Sequence, residues 1–519
     1  MTNQFPEVER EVEREVSVTS SASAEMRTVT TNWFYVFSVV VISCGSIPKG
    51  YDEGGFASAS GLKSFMDDFG LVRGRWTDDP SLLAARRATV SSLGVLGAAM
   101  GAAMAIYITD VVGRLRTWQI FTLLWMTGFF TAAFASGNVD LLLFARIWGG
   151  VGAGGLTVVA PLYLSEIAKA RNRGMIVSVY MVFLLTTLML GFFISYAARK
   201  TMDQNREQYR VVLAVPQIPV GISLACSMFL SDTPRWLAFK NRHEEALVAL
   251  AKLRNTSTDD QNVQREFREM QEEVVSKNLI LANTSTWAII KVTTVPTYRS
   301  RFLLGLAMQT FAQWSGGNGI TYYIPEIFRY AGITSNRALI NAGGYGATKL
   351  VFTMIFMWRL IDYFGRRRCF MAGLAIQCVT HIYMAVYMAL WRRDHSPAAS
   401  GAAIASVFIY AMGWSIGLCT VQYLYGTEIL PTRVRGVCYA VNMMIHWLFQ
   451  FAVVRTTPQL FREFDVWGAY VFWALVCFIG LFVLGVWAPE TKGIALERMG
   501  ELFEGPWYKC GKAKIRYHQ

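Results

Sequence analysis

The chain has 519 residues, of which 53% are hydrophobic and 16% are charged. Globular domains carry about 25% charged residues, so the composition argues against an ordinary soluble domain and indicates a membrane protein. The net charge of +13 would suit a nucleic-acid-binding protein, but the lysines and arginines concentrate in short loops between apolar stretches. That distribution argues against nucleic acid as a partner.

Residues 1–31 form a polar segment in which repeated glutamates are followed by a run of serine and threonine. The segment lacks the basic start and the cleavage site of a secretory signal peptide. Its composition is typical of disorder, because so few apolar side chains cannot form a core. We therefore predict a disordered cytoplasmic tail.

Twelve apolar stretches follow, each long enough for the about 20 residues that a membrane-spanning helix needs. They lie near 33–58, 88–109, 117–136, 139–165, 174–197, 210–230, 300–328, 340–361, 369–391, 402–427, 434–457 and 466–488. The sequence therefore predicts an all-α membrane protein with twelve transmembrane helices. These fall into two six-helix halves, 32–231 and 300–488.

The loops on one side of the predicted bundle are basic, as at Arg114 and Arg116 in the first half and Arg366 in the second. By the positive-inside rule these loops are cytoplasmic, and an even number of spans places both termini there as well. The polar segment 232–299 is then cytoplasmic, with helices predicted near 243–254 and 261–277. We interpret it as a linker, and 489–519 as a C-terminal cytoplasmic tail.

Three motifs occur twice, in the same order. Asp110-Val-Val-Gly-Arg-Leu-Arg116 recurs as Asp362-Tyr-Phe-Gly-Arg-Arg-Arg368, Glu166…Arg171-Asn-Arg-Gly174 recurs as Glu428…Arg433-Val-Arg-Gly436, and Ser231-Asp-Thr-Pro-Arg-Trp236 is loosely echoed by Pro489-Glu-Thr-Lys-Gly493. Such repetition indicates two copies of one structural unit. When the unit is a set of membrane helices, the arrangement is typical of a transporter whose site lies between the halves.

The sequence contains no G-x-x-x-x-G-K-[ST] motif, so ATP-driven transport by this chain is excluded and a gradient must supply the energy. The eight cysteines are scattered and form no cluster with histidine. We therefore expect no metal site, no cofactor and no enzymatic activity.

Charged side chains within a span cost about 2.5–3.5 kcal/mol each on insertion scales, so those present need an explanation. Asp52 in the first span and Arg146 in the fourth have opposite signs and similar depths in the outer half of the bilayer, so we predict that they pair. A carboxylate whose proton affinity depends on such a contact can couple transport to protons. The alternative is a static ion pair. Lys49 and Glu53, one helical turn apart, can neutralise each other.

The run Gly149-Gly-Val-Gly-Ala-Gly-Gly155 in the fourth span imitates a dinucleotide-binding motif. It lies within a span and follows no strand, so close helix packing is the better interpretation. The seventh span carries the polar and aromatic segment Gln313-Trp-Ser-Gly-Gly-Asn318-Gly-Ile-Thr-Tyr-Tyr323. Amide, hydroxyl and aromatic groups in one helix suit a ligand with many hydroxyls.

Together these motifs resemble the sugar porter family of the major facilitator superfamily over about residues 33–500. The resemblance is carried by Gly50-Tyr-Asp-Glu-Gly54, Arg146-Ile-Trp-Gly-Gly-Val-Gly-Ala-Gly154, Pro161-Leu-Tyr-Leu-Ser-Glu-Ile167, Asn318 with Tyr322-Tyr323, and the repeated motifs above. Gly344-Tyr-Gly-Ala-Thr-Lys349 is similar to the fungal branch of quinate, pentose and sugar-acid permeases. The resemblance implies twelve helices, alternating access, and a monomer in the lipid bilayer that binds a small-molecule substrate and protons. We expect the plasma membrane.

The resemblance also implies residue roles. Asp52 would be the proton-binding carboxylate and Arg146 its partner. Charges at the cytoplasmic ends would fasten the two halves together when the site faces outward: Asp110, Arg114, Arg116, Glu166, Arg173, Asp362, Arg366, Glu428 and Arg435. The side chains expected to line a central substrate cavity are Gln313, Asn318, Tyr322, Tyr423 and Trp447.

Four positions depart from the family pattern. Met181 and Ala312 stand where sugar-binding glutamines are usual, Tyr423 replaces the tryptophan of a missing Pro-x-Pro-Trp motif, and His446 replaces an asparagine. An unpaired substrate hydroxyl costs about 1–3 kcal/mol, so a standard glucose transporter is disfavoured. A pentose, a deoxysugar, an acid or a less polar metabolite fits as well.

Three functions remain open. Asp52 and Arg146 favour a proton-driven importer of a monosaccharide or a related polyhydroxylated molecule, such as a polyol, a sugar acid or a quinate-like compound. The altered pocket leaves open an uncoupled facilitator or an exporter. A nutrient sensor built on the same fold is the third candidate, although the C-terminal tail is short for such a receptor.

Overall fold

The computed structural model describes residues 32–73, 78–169, 173–281, 296–333, 335–357, 361–390, 397–419, 421–430, 435–492, 496–503 and 507–511. Within these residues the secondary structure is helical throughout, with no strand. Each of the twelve predicted spans coincides with one helix or with several helical segments in close succession. We number these helical units from the first to the twelfth span. The prediction of an all-α protein is confirmed.

The first half contains six spans. The first runs Trp33–Ala59, the second Pro80–Val112, the third Arg114–Ala133, the fourth Val139–Ile167, the fifth Arg173–Thr201, and the sixth consists of Arg206–Ala214 and Gln217–Ser227. The first span is irregular, since its helix widens into a π-turn at Asp52–Phe56. Wide turns of this kind re-aim side chains and are frequent at functional sites.

The second half repeats this plan. The seventh span consists of Pro296–Trp314 and Gly317–Tyr330, the eighth is Ser335–Ile355, the ninth Arg366–Leu390, the tenth Pro397–Trp414 with Val421–Glu428, the eleventh Arg435–Glu463 and the twelfth Asp465–Trp487. The seventh span breaks at Gly316, whose φ of +91° suits glycine. The tenth contains a π-turn at Ser415–Cys419.

Eight helices in the described residues are long and apolar enough to cross a membrane by length and composition alone, fewer than the twelve predicted spans. The seventh and eleventh spans are two of those that fall short. Their polar side chains are buried within the bundle: Gln309, Gln313, Asn318, Asn442, His446 and Gln450. Polar groups at membrane depth are tolerated where they face the protein interior, so these helices are polar because they line the centre.

The two halves contact each other mainly along two helix pairs, the second span with the eleventh and the fifth with the eighth. Within the first half, the second and fourth spans pack with their backbones in close contact. A Cβ atom at Gly154 would lie 1.9 Å from the carbonyl oxygen of Ala98, and one at Gly150 would lie 2.1 Å from that of Gly94. The glycine run of the fourth span therefore serves helix packing.

The repeated motifs form the same turn in both halves. Gly113 has a φ of +109° and Gly365 a φ of +90°, which explains the glycine at each position. Asp232 accepts hydrogen bonds from the backbone N–H groups of residues 114 and 115, at 2.9 and 3.3 Å. Glu490 does the same for residues 366 and 367, at 2.9 and 3.1 Å. The third repeated motif thus supplies a carboxylate that caps the helix begun by the first.

The described part of the linker between the halves contains three helices, Pro234–Phe239, His243–Arg254 and Gln261–Leu281, and the first of them is an addition to the two that the sequence predicts. Arg254 forms an ion pair with Glu266 at 2.6 Å and donates to the carbonyl of Ile167 at 3.2 Å. Burial raises the pKa of Glu266, but its hydrogen bond and ion pair with Arg254 outweigh burial and leave that pKa below its usual value. Asn32 donates to the Leu253 carbonyl at 2.9 Å, so the linker packs against the first half.

Candidate functional site

A cavity of about 770 Å³ lies between the halves, at the end of the bundle opposite the two Gly-Arg turns. We call it the vestibule. It is lined by the first, second, fifth, seventh, eighth and eleventh spans, and Tyr322 and Tyr323 lie along it. Five arginines among the described residues also line it: Arg73, Arg87, Arg199, Arg329 and Arg462. The vestibule is therefore an approach from one side of the membrane towards the centre of the protein.

Asp52 and Arg146 lie in contact beside the deep end of the vestibule. Nη1 of Arg146 pairs with one carboxylate oxygen of Asp52, and Nη2 donates to the other at 3.2 Å. Arg146 is 3% exposed and Asp52 14% exposed. The backbone carbonyls of Val90 and Ser91, each at 3.2 Å, also hold the guanidinium, which lies 3.6 Å from the ring centroid of Phe56. The arginine is therefore fixed, and the carboxylate is the more accessible partner.

Tyr322 connects this pair to the other half of the protein. Its hydroxyl donates to the Asp52 carboxylate at 2.7 Å. Tyr322 also borders the vestibule and a space of about 10 Å³ beside Lys49, Asp52 and Trp447, so it separates the two. Because Asp52 belongs to the first half and Tyr322 to the second, any separation of the halves at this level breaks the hydrogen bond.

A network of buried polar side chains joins the seventh span to the eleventh. Gln313 accepts from the Asn318 amide at 2.8 Å and donates to Nε2 of His446 at 3.2 Å. Nδ1 of His446 lies 2.8 Å from Oε1 of Gln309, which can only accept, so Nδ1 carries the proton. Nε2 of His446 is then an acceptor facing the centre. Gln309 and His446 are members of this network that the predicted substrate-binding set does not include.

Lys49 lies at the centre of the predicted substrate residues. Its Nζ donates to the Tyr423 hydroxyl at 2.9 Å, lies 3.4 Å from Nε2 of His446, and is 4.5 Å from the ring centroid of Trp447. Trp447 in turn donates to the Thr157 hydroxyl at 3.1 Å. Tyr423 and Trp447 are therefore connected to Gln313 and Asn318. The connecting contacts are those of Lys49 and His446.

Lys49 and Glu53 attract each other electrostatically but form no direct ion pair. Among the described side chains no carboxylate lies within ion-pairing distance of Lys49, and Glu53 instead accepts from Gln450 at 3.4 Å. The i, i+4 spacing did not reveal this, because the π-turn that begins at Asp52 changes the direction of Glu53 relative to a regular helix. Lys349 of the eighth span donates to Thr321 at 2.8 Å and lies 4.1 Å from the Trp414 ring centroid.

The departures from the family pattern lie in the protein interior. Met181 is 6% exposed and Ala312 is 2% exposed. Because neither side chain has an amide group, neither offers the hydrogen bond that is usual at its position. His446 does take part in the network, as an acceptor and a donor. The site therefore has fewer amides than the family pattern, and it contains the cation of Lys49.

The predicted gating charges that the structure describes connect helices within the first half. Arg114 pairs with Asp110 at 3.0 Å and with Glu166 at 3.2 Å, and Glu166 also accepts from the Thr233 hydroxyl. Burial raises the pKa of Asp232 above its usual value, against the lowering effect of its backbone donors. These contacts of Arg114 and Glu166 lie within the first half and the start of the linker, whereas the resemblance implies contacts that join the two halves.

Two further predicted gating residues, Arg116 and Arg366, lie at the starts of the third and ninth spans. Arg116 is exposed, and the backbone N–H of Arg366 bonds to Glu490. The side chains of four predicted gating residues lie outside the described residues: Arg173, Asp362, Glu428 and Arg435. Their role stays a prediction.

Comparison with known proteins gives a family match over most of the chain. The family model described as "Sugar (and other) transporter" matches residues 38–503. A quinate permease of Neurospora africana is 27% identical over 483 residues, which cover 91% of this chain and 89% of the relative. A probable quinate permease of Aspergillus flavus is 29% identical over 486 residues, with the same coverage.

Solved structures share the fold. The proton:xylose symporter XylE bound to 6-bromo-6-deoxy-D-glucose superimposes with a TM-score of 0.76 at 21% identity, covering 91% of this chain and 99% of that protein. The inward open conformation of the xylose transporter XylE from E. coli gives a TM-score of 0.72 at 21% identity, covering 90% and 99%. The likeness therefore extends over both six-helix halves.

Proposed function

The chain belongs to the sugar porter family of the major facilitator superfamily, as its motifs predict, and from this membership we propose that it is a proton-coupled symporter. Members of this family are transporters and not enzymes. The proposed substrate is a monosaccharide or a related polyhydroxylated molecule, which includes pentoses, hexoses, polyols, sugar acids and quinate-like compounds. The proposed mechanism is alternating access between the two halves.

The observation that carries the proposal is the position of Asp52 between its two partners. Arg146 holds the carboxylate from the same half, and Tyr322 reaches it from the other half. When the halves separate, Tyr322 withdraws and leaves a carboxylate oxygen of Asp52 open to a proton from the vestibule. When the halves close again, the hydroxyl of Tyr322 returns to the carboxylate beside Arg146, and the proton leaves.

The substrate would occupy the centre between the seventh and eleventh spans. Gln313 and Asn318 supply amides that donate and accept, while Trp447 and Tyr423 supply aromatic faces for C–H surfaces. Relatives described as quinate permeases and a structural neighbour described as a proton:xylose symporter support a polyhydroxylated substrate and proton coupling. Since Met181 and Ala312 offer no hydrogen bond, an uncoupled facilitator or exporter of a less polar metabolite is the second candidate.

Uptake by the full-length protein in proteoliposomes tests the proposal. A panel of labelled pentoses, hexoses, polyols and sugar acids is offered with and without an inward proton gradient, while the external pH is recorded. A coupled symporter accumulates its substrate above the external concentration and makes the medium more alkaline. Equilibration without accumulation identifies a facilitator, and binding without movement across the bilayer identifies a sensor.

Replacing Asn318 by alanine should weaken substrate binding. The side chain donates to Gln313 at 2.8 Å, and both are buried where the substrate would bind. Loss of one hydrogen bond of about 1–2 kcal/mol raises the half-saturation concentration roughly 5- to 30-fold. Gln217→Ala, which removes an amide of the sixth span that bonds to the carbonyl of Met126, is the matched control and should leave uptake unchanged. Equal half-saturation in wild type and Asn318→Ala contradicts the assignment.

Both termini and the linker are proposed to be cytoplasmic, at the plasma membrane. Asp259 is exposed in the linker and Gln204 is exposed in the loop between the fifth and sixth spans. An impermeant thiol reagent on intact cells should label Gln204→Cys and leave Asp259→Cys unlabelled until the cells are opened. The native cysteines give little background, because six are buried and Cys44 and Cys226 are only partly accessible. Labelling of Asp259→Cys on intact cells would reverse the orientation.

A further inference from the structure

We propose that Lys49 is the specificity-determining residue of the central site and that it binds a carboxylate of the substrate. This inference rests on the proposed function, since it selects acids from the broader class of polyhydroxylated substrates. It assigns to Lys49 a role that the resemblance does not imply, because Asp52 and Arg146 are the charges that the resemblance implies for the centre of the bundle.

Lys49 is buried without a direct ion-pair partner among the described residues, although the nearby Glu53 attracts it electrostatically. Lys49 is 5% exposed, and Glu53, one turn further along the span, bonds to Gln450. The ammonium group is satisfied only by neutral acceptors, the Tyr423 oxygen and Nε2 of His446, and by the face of Trp447. These acceptors carry no opposite charge, whereas a carboxylate adds a full Coulombic attraction, which is strong where water is excluded. A carboxylate that reached this position would therefore compete favourably with the neutral acceptors.

The balance of buried charge also favours an anion. Asp52 and Arg146 compensate each other. The other charges buried near the centre, among the residues that the structure describes, are two lysines, Lys49 and Lys349, and one carboxylate, Glu53. One positive charge is thus uncompensated, and an isolated buried charge is strongly unfavourable. A monoanionic substrate would supply the missing charge at the place where the substrate's hydroxyls would meet Gln313 and Asn318.

The vestibule that leads to the site also carries an excess of positive charge. Five arginines line the vestibule, against two carboxylates, Glu326 and Asp465, among its lining residues. A cleft with an excess of one charge raises the local concentration of ligands of the opposite charge. Tyr322 lies between the vestibule and Lys49. An acid would therefore be concentrated outside Tyr322 and, once Tyr322 withdraws from Asp52, would meet the ammonium of Lys49.

This assignment has a consequence for charge movement. One proton bound to Asp52 and one substrate carboxylate bound to Lys49 carry opposite charges, so their joint passage moves no net charge across the bilayer. Uptake of an acid should then respond to a pH gradient and not to a membrane potential imposed by potassium and valinomycin. Symport of a neutral sugar with a proton would respond to both.

The test compares acids with neutral counterparts of similar shape, using quinate against its methyl ester, gluconate against sorbitol, and galacturonate against galactose. Binding to the purified full-length protein is followed by tryptophan fluorescence, and uptake is measured in proteoliposomes. Wild type should bind at least one acid more tightly than its neutral counterpart. Lys49→Met should weaken binding of that acid about 10- to 100-fold and leave its neutral counterpart within about threefold. Lys49→Arg, which retains the charge, should restore much of the preference.

Lys349→Met serves as the matched control, because it removes the same charge from a lysine that contacts Thr321 and not the predicted substrate residues. It should weaken acid binding less than Lys49→Met. Equal losses in the two variants would mean that charge alone and not contact decides, which overturns the assignment. A wild type that prefers the neutral member of each pair also overturns it while leaving symport intact. If Lys49→Met does not fold, Lys49→Gln and Lys49→Arg decide on the same readout, and failure of every compound to be transported contradicts the proposed function itself.

Discussion

Asp52→Asn should abolish accumulation of substrate against a gradient, with a loss of at least about 100-fold in the ratio of internal to external substrate under a two-unit proton gradient. Asparagine keeps the shape of the side chain but cannot take up and release a proton. It can still accept hydrogen bonds from Arg146 and Tyr322, the two partners of the native carboxylate. Exchange of labelled for unlabelled substrate should persist, because exchange requires no net movement of protons.

The neighbouring carboxylate provides the control for this result. Glu53→Gln changes an acid one residue further along the same span, and Glu53 bonds to Gln450 of the eleventh span. It should retain dependence on the pH gradient. Removing the charge of Asp52 leaves Arg146 buried without its counter-charge, which costs up to about 3–5 kcal/mol, so the amount of protein in the membrane must be measured in parallel. A parallel fall of exchange and protein level would identify a structural ion pair. Uphill accumulation in well-expressed Asp52→Asn would transfer the coupling role elsewhere, with Glu53 the next candidate.

Gly154→Val should prevent normal packing of the first half. A Cβ atom at this position would lie 1.9 Å from the Ala98 oxygen and 2.5 Å from the Ala98 Cα, and both are backbone atoms that cannot rotate away. The second and fourth spans must therefore separate, which loses contacts along their length and costs about 3 kcal/mol or more. The expected result is a large loss of monodisperse protein in size-exclusion chromatography and a lowered melting temperature in what remains.

Gly401→Val is the matched control for this substitution. Gly401 lies in the tenth span, and nothing among the described residues lies within 4 Å of the position that a Cβ atom would take there. The same change of residue should leave yield and melting temperature close to those of the wild type. A Gly154→Val protein as stable as Gly401→Val would show that the close backbone approach of the second and fourth spans is not required.

The sequence was informative wherever the determining physics is local or depends on depth in the membrane. The length of the apolar stretches predicts the spans, and the basic loops predict their orientation. The glycine run predicts close packing at Gly150 and Gly154, because only small residues allow backbones to approach. The depth of a residue can be counted along its span, and this count, together with opposite charge, is enough to match Asp52 with Arg146, its ion-pair partner.

The sequence by itself determined the family, the twelve-helix architecture, the two-fold repetition and the pairing of one partly buried carboxylate with one buried arginine. Only the tertiary structure decided the contacts that depend on helix rotation and on packing between distant segments. Lys49 turns to Tyr423 and Trp447 of the other half and not to Glu53, and Tyr322 reaches across the halves to Asp52. Hydrophobic patterning sets which residues lie in the membrane, but a π-turn and the docking of two halves set which buried polar groups meet.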